Sequence, residues 1–414
     1  MNIGPILRAM KHNRTRVVLL VLEIAMTLAI VTNCVNVIIA ERAKMARPSG
    51  FDDDNILWMR SRPFAEEFRD NAYLENNIDA DLQAIRSVPG VRAVANSHML
   101  LWEGGGSSMQ IKAVGAPGAP HGTQRYFATQ GIFDSLGMKV VEGRGFTDSD
   151  YPAAGVEQEP RVAVISRTVA KTLFPDGQAL GKSIVRATDS GAPEGEQMTV
   201  VGIVETFFNP FGFNPESWRG IADRVIFVPS RVGGFNNGTR FLIRTEPGAM
   251  PAVMAELEKR LPAANPGRVL EFKPTPEKKT QWFSTSRLTI GVMTGLIVAL
   301  VFVTGLGILG ITALAVSERT KQIGTRRALG ATRADILRHF MVENWLTTTA
   351  GITLGVVAAY ALNFLLVSHV TDVKMPWQLI ATGMVLLWLN GLLATLPPAL
   401  RAMNVPPSIA TRSV

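Results

Sequence analysis

Four apolar runs, each long enough to cross a bilayer, constrain this chain more than any other feature. At 1.5 Å per residue, Val17–Ile39, Leu288–Val316, Leu346–Val367 and Leu379–Leu396 would make helices about 27 to 43 Å long. A hydrocarbon core of about 30 Å needs about 20 apolar residues. Leu288–Val316 exceeds that thickness and should tilt or project. Val17–Ile39 is longer than the roughly 7–15 apolar residues of a secretory signal, so an uncleaved span is expected there. The mean hydropathy of +0.18 and the charged fraction of 18% agree with a membrane protein.

The formal net charge of +8 could suggest a nucleic-acid partner. The basic residues sit mostly beside the apolar runs, where the excess of Lys and Arg on cytoplasmic loops explains them, and no nucleic acid is expected. The single cysteine, Cys34, lies inside an apolar run and excludes an intrachain disulfide. With the N-terminus inside, all strongly basic loops fall on one side. The expected order is then a cytoplasmic amphipathic helix (1–16), a first transmembrane helix (17–39) and an α+β extracytoplasmic domain (40–287). A second transmembrane helix (288–316), a basic cytoplasmic region (317–345), a third helix (346–367) and a short outer loop (368–377) follow. A fourth helix (378–397) and a cytoplasmic tail (398–414) complete it. Trp377 suits an interfacial anchor. The fold class is therefore a membrane protein of four transmembrane α-helices, with a large α+β domain inserted between the first and second spans.

Inside residues 40–287, β-patterned runs are predicted at Val91–Ala95, Gln110–Val114, Lys139–Glu142, Arg161–Ile165, Met198–Glu205, Val225–Val228 and Phe241–Arg244. Helical stretches are predicted at Asp81–Val88, Ser166–Leu173 and Ala249–Leu261. The irregular alternation argues for α+β. Gly104–Ser108, Gly115–Gly122, Gly191–Gly195 and Gly233–Gly238 read as surface loops.

Several motifs carry no chemistry. Gly177–Ser183 (GQALGKS) resembles a phosphate-binding loop but is one residue short, and no buried strand leads into it. Gly305-Leu-Gly307-Ile-Leu-Gly310 fits a dinucleotide pattern, yet lies in a span. The five histidines are scattered without metal-ligand spacing. Asp52-Asp53-Asp54 reads as a solvated turn in preference to a cation site. No catalytic residue, cofactor or metal is expected. Glu23, an intramembrane carboxylate, is a candidate functional residue by default, within reach of the interface or of Arg16. Gly291-xxx-Gly295 and Gly351-xxx-Gly355 have the spacing that lets membrane helices approach closely, either within the bundle or at a dimer seam.

The remaining constellation is Ser317–Trp345. Arg319, Lys321, Arg326, Arg327, Arg333 and Arg338 face only Glu318, Asp335 and Glu343. A helix leaving the membrane at Val316 should break near Gly330. It should restart with Thr332 as N-cap and Asp335 in the first turn. Both pieces are anchored to spans, so a push on the bend would move two membrane helices together.

Glu318-Arg319-Thr320-Lys321-Gln322-Ile323-Gly324-Thr325-Arg326-Arg327-Ala328-Leu329-Gly330-Ala331, followed by Asp335-Ile336, resembles the signature of MacB/FtsX-type ABC transporter permeases. Gln322 stands where that pattern has Glu. Leu82–Val94, Phe133–Phe146, Val164–Lys182 and Val200–Val204 are similar to the family's periplasmic core domain, and Pro398–Ala402 with Pro406 to its C-terminal end. The resemblance implies that 317–345 holds the coupling helix contacting a separate ABC ATPase dimer, through Glu318, Arg319, Lys321, Ile323, Gly324, Arg327, Ala328, Gly330, Ala331, Asp335 and Ile336. It implies a non-catalytic permease of the bacterial inner membrane with both termini cytoplasmic. That permease would pair with a second one, identical or paralogous, contact membrane lipid, and work with a periplasmic membrane-fusion protein. Motion would be transmitted without threading cargo through the bundle, in keeping with the absence of a polar stripe along the spans. A signalling permease that activates a cell-wall hydrolase, and a lipoprotein-extraction permease, are alternatives of the same architecture.

Overall fold

A computed structural model describes residues 14–104, 106–117, 119–153, 159–187, 193–208, 223–231, 238–369 and 375–406. The amphipathic segment expected at 1–16 lies outside these residues except for its last three. So do half of the 368–377 loop, the tail beyond 406, and most of the Gly233–Gly238 loop. The chain divides into two units, residues 47–284 and the helices on either side of them in sequence.

In chain order the elements begin with α1 (Arg14–Met45), β1 (Ile56–Pro63), α2 (Asn71–Arg86), β2 (Val91–Asn96), β3 (Ser107–Ala113) and β4 (His121–Ala128). Next come α3 (Ile132–Leu136), β5 (Val140–Gly143), β6 (Val162–Ser166), α4 (Arg167–Leu173), β7 (Ser183–Ala187) and β8 (Pro193–Val204). Then follow β9 (Val225–Pro229), β10 (Thr239–Thr245), α5 (Met250–Ala264), β11 (Arg268–Pro274) and α6 (Thr275–Trp282). The last are α7 (Ser284–Glu318), α8 (Thr320–Ala328), α9 (Arg333–His369) and α10 (Trp377–Met403).

Residues 47–284 form two sheets. The first has the order β11-β1-β10-β2 with every pairing antiparallel. Taken with α2 after β1 and α5 after β10, this is a split βαβ (ferredoxin-like) arrangement into which everything between β2 and β10 is inserted. Asp70 caps α2 by accepting from Tyr73 N at 2.9 Å. Leu74, Ile78 and Ile85 of α2, and Val253, Leu257 and Leu261 of α5, cover the sheet at helical spacing. Arg268 of β11 is held by Asp81 of α2 in a buried ion pair, with Asn77 accepting a further bond at 2.8 Å. The bonds to Asp81 and Asn77 offset part of the desolvation of the pair, while the buried Arg268 Nε has no hydrogen-bond partner.

The second sheet runs β5-β8-β6-β9-β4-β3-β7, and an added β7–β8 pairing closes six of its strands on themselves. The long β8 makes this possible, pairing with β7 along its first half and with β6 and β5 along its second. The enclosed core includes Ile111, Ile165, Ile184, Met198, Ile203 and Ile226. Four strands, β1, β4, β7 and β11, are additions to those predicted. β1 buries Ile56, Leu57, Trp58 and Met59 consecutively, so it shows no alternation to read. α2 begins ten residues ahead of the expected Asp81, because Asn and Glu between its apolar positions dilute the pattern.

In the other unit, α1 runs along α9. Gly351 and Gly355 sit against it: a Cβ on Gly351 would lie 2.8 Å from Ile24 Cβ, and one on Gly355 3.0 Å from Leu28 Cβ. The apolar window of α1 is 56% buried and that of α7 11%. All four of α1, α7, α9 and α10 are long and apolar enough to cross a membrane. Their ends differ from the predicted limits. α9 is one helix of 37 residues, with no interruption at 345/346. α10 continues past 397 through Pro397 and Pro398 to Met403; neighbouring helices make such prolines tolerable in a bundle. Isolated polar contacts tie the helices together inside the bundle. Thr27 Oγ1 meets Thr304 Oγ1 at 2.7 Å, Asn33 Nδ2 donates to Ala359 O at 3.2 Å, and Asn363 Nδ2 donates to Asn33 Oδ1 at 3.3 Å. These partners come from separate helices, so no single run displays them as a stripe.

Candidate functional site

The basic segment folds as a short helix hung between two long ones. α7 ends at Glu318, the backbone turns at Arg319, and α8 spans nine residues. The turn at Arg319 is additional to the expected break. At the far end Gly330 adopts φ +99°. Ala331 N donates to Arg326 O at 3.0 Å and Gly330 N to Arg327 O at 3.2 Å. This pair of bonds is a Schellman stop with glycine at its left-handed position. Two residues on, Thr332 and Asp335 form a capping box for α9. Asp335 N donates to Thr332 Oγ1 at 3.2 Å and Thr332 N to Asp335 Oδ2 at 3.0 Å. One helix is closed and the next opened within four residues, so the turn is fixed from both sides.

The buried face of α8 is anchored. Ile323 packs with Val316, Ile336, Phe340, Ala399 and Ala402, with Ala331 at the edge of that cluster. Gly324 is buried beside Ile323. Arg327 Nη1 donates to Met403 O at 3.1 Å and Val405 O at 2.8 Å, holding the C-terminal end of α10. Arg319 pairs with Glu343 at 3.0 Å, and Arg16 forms a two-pronged pair with Glu318 at 2.6 Å. Three helices, α7, α9 and α10, thus converge on a nine-residue element, while Arg16 of α1 reaches Glu318 at the end of α7.

The structure sorts the predicted coupling residues into two groups. Ile323, Gly324, Ile336, Arg319, Arg327 and Ala331 are buried or half-buried and bind the hairpin to the bundle. Lys321, Ala328 and Gly330 face solvent. Glu318 and Asp335 are exposed, but are taken up by Arg16 and Thr332. Leu329, which is not among those predicted residues, is 84% exposed at the tip. An apolar residue between Ala328 and the stop glycine was the available signal.

The two glycine pairs part company. Gly351 and Gly355 fill the α1–α9 seam, while a Cβ on Gly291 or Gly295 would meet nothing within 4 Å. Gly305 and Gly307 leave room for polar side chains: the position of a Cβ on Gly307 is 2.6 Å from Glu23 Oε2, and that on Gly305 is 3.3 Å from Asn390 Oδ1. Glu23 therefore lies against Gly307, and Arg16 is given to Glu318. In the phosphate-loop look-alike, Lys182 Nζ donates to Asp176 Oδ2 at 2.6 Å, so the lysine is spoken for. Asp52 accepts from Arg244 Nε at 2.9 Å and from Asn55 Nδ2 at 2.8 Å, which makes the aspartate run part of the fold and not a solvated turn.

The profile described as MacB-like periplasmic core domain matches residues 18–260, and that described as FtsX-like permease C-terminal matches residues 294–407. The chain is 29% identical over 282 residues to the macrolide export ATP-binding/permease protein MacB of Chromobacterium violaceum, covering 67% of this chain and 41% of that protein. It is 26% identical over 412 residues to the protein of the same name from Hahella chejuensis, covering 96% and 58% respectively. It is 26% identical over 343 residues to the uncharacterized ABC transporter permease YvrN of Bacillus subtilis, covering 77% and 73%. The chain thus spans about half the length of these two MacB proteins.

Proposed function

Because this chain belongs to the MacB/FtsX-type ABC transporter permeases, we propose that it is the transmembrane subunit of an export system. In this reading it takes up ATP-driven motion at the α8 hairpin and passes it to residues 47–284. ATP hydrolysis falls to a separate ATPase dimer. A second permease, identical or paralogous, stands beside this one, and a periplasmic membrane-fusion protein meets the inserted domain. The four long helices cross the bacterial inner membrane within lipid, the domain between the first two lies in the periplasm, and both termini are cytoplasmic.

One observation carries this reading. An exposed leucine sits on a turn closed by a Schellman stop and reopened by a capping box, on an element pinned to the ends of three helices. An apolar tip on a rigid mount is what a gripping partner needs, since contacts to a preordered surface cost little ordering entropy. Lys321, Ala328, Leu329 and Gly330 form the touching surface. Ile323, Gly324, Ala331 and Ile336 pass displacement into the bundle by packing. Glu318, Arg319, Arg327 and Asp335 hold the hairpin's shape.

The test is reconstitution of the full chain in nanodiscs with an ABC ATPase subunit from the same organism. The permease should change the ATPase rate severalfold, and Leu329→Asp should return it to the rate of the ATPase alone while the bundle remains folded. A wild-type permease without effect on hydrolysis would sink the proposal.

A further inference from the structure

Two short segments stand at the start and end of the β-rich unit: residues 47–53 come after α1 in the chain, and residues 279–283, the end of α6, come before α7. They meet at one carboxylate. Ser49 Oγ and Lys279 Nζ each donate to Asp53 Oδ2 at 2.7 Å, and Trp102 Nε1 donates to Asp53 Oδ1 at 2.6 Å. The Trp102 ring has the Lys279 ammonium 5.2 Å from its centroid. Phe51, from the first segment, and Phe283, from the second, approach the same ring at 6.0 and 5.4 Å. Trp102 is buried and holds φ +59°, the only described non-glycine residue in left-handed backbone. Such a conformation persists only where the surroundings over-determine it.

The chemistry of the joint calls for a carboxylate. Three donors converge on two oxygens, so an amide would turn an N–H toward a donor. We infer that Asp53, Trp102 and Lys279 form a clasp that makes both entry segments one mechanical joint. Asp53 is its positioning residue: motion arriving along α1 or α7 reaches the domain as a single displacement. This deepens the force-transmission reading above and rests on it.

Amide hydrogen exchange on the full chain in nanodiscs, without any partner, judges the clasp. Asp53→Asn should raise exchange about tenfold in both 49–56 and 276–283, as loss of hydrogen bonds to a charged group implies, with β6 unchanged. Lys279→Met should loosen the same two segments, and Trp102→Phe, which removes only the indole donor, should do so to a smaller degree. A rise confined to one segment, or no rise in either, overturns the inference. A second arm adds the ATPase with ATP and vanadate. Wild type should then change exchange in both segments together, and the Asp53→Asn variant should not. A wild type that ignores the trapped ATPase counts against force transmission, while the partner-free exchange still decides the clasp.

Discussion

His98 stands edge-on to Tyr126 and Phe127, with ring centroids 4.6 and 5.2 Å away. Burial, followed by the neighbouring Arg240 and Arg125, pushes its imidazolium pKa down to about 3. An unfolded histidine titrates near 6.5, so between these values the unfolded chain binds a proton that the folded one does not. Stability is therefore fully present above about pH 6.5 and declines as the pH falls toward 3. The slope is at most about 1.4 kcal/mol per pH unit for one proton. His98→Phe should flatten that part of a plot of thermal midpoint against pH; an unchanged slope would assign the loss to other groups. At this scale the sequence was readable where the chemistry is local. Thr332 with Asp335 and the stop at Gly330 are spelled out within a few residues. Asp53 was not, because its donors come from residues 49, 102 and 279, and a one-dimensional reading sees only three acids in a row.

Equal spacing does not mean equal partners among the helix elements. Gly351→Val would force a branched side chain into Ile24 and the carbonyl of Val21, 3.1 Å from the Cβ position. Overpacking of this kind costs about 1–3 kcal/mol, which should appear as a lowered unfolding temperature in detergent. Gly291→Val enters open space and should leave that temperature unchanged. If both variants behave alike, the α1–α9 seam is not where the bundle is held. Helix existence was legible from apolar length, whereas helix ends were not. α9 opens at its capping box inside a polar segment, and α10 runs on through two prolines. Among strands, β6 and β9 announced themselves as short apolar runs. β4 was lost to the glycines before it, and β11 to an arginine on its covered face and to Glu271 and Lys273 on the other.

Over the whole molecule, the proposed topology is checked by labelling. In a Cys34→Ala background, a cysteine at Ser107 should react with an impermeant maleimide from outside the cell. One at Arg333 should react only after the membrane is opened, and the reverse pattern would refute the arrangement. The division into a β-rich unit and a helical one was legible because hydropathy switches sharply near residues 40 and 287. The closed six-strand sheet was not, since closure depends on β8 pairing with different neighbours along its two halves. One further consequence belongs to α9. It is an unbroken rod of 37 residues, about 55 Å long, and Gly351, pressed against α1, stands midway between Arg333 and His369. Gly355, Ala359 and Asn363 carry that contact on toward its C-terminal end, and Ile336 and Phe340 are packed at its start, so the rod is held along its length and not at a single pivot. An element fixed at so many points moves as one piece, and a displacement at Arg333 would be carried undiminished along all of it.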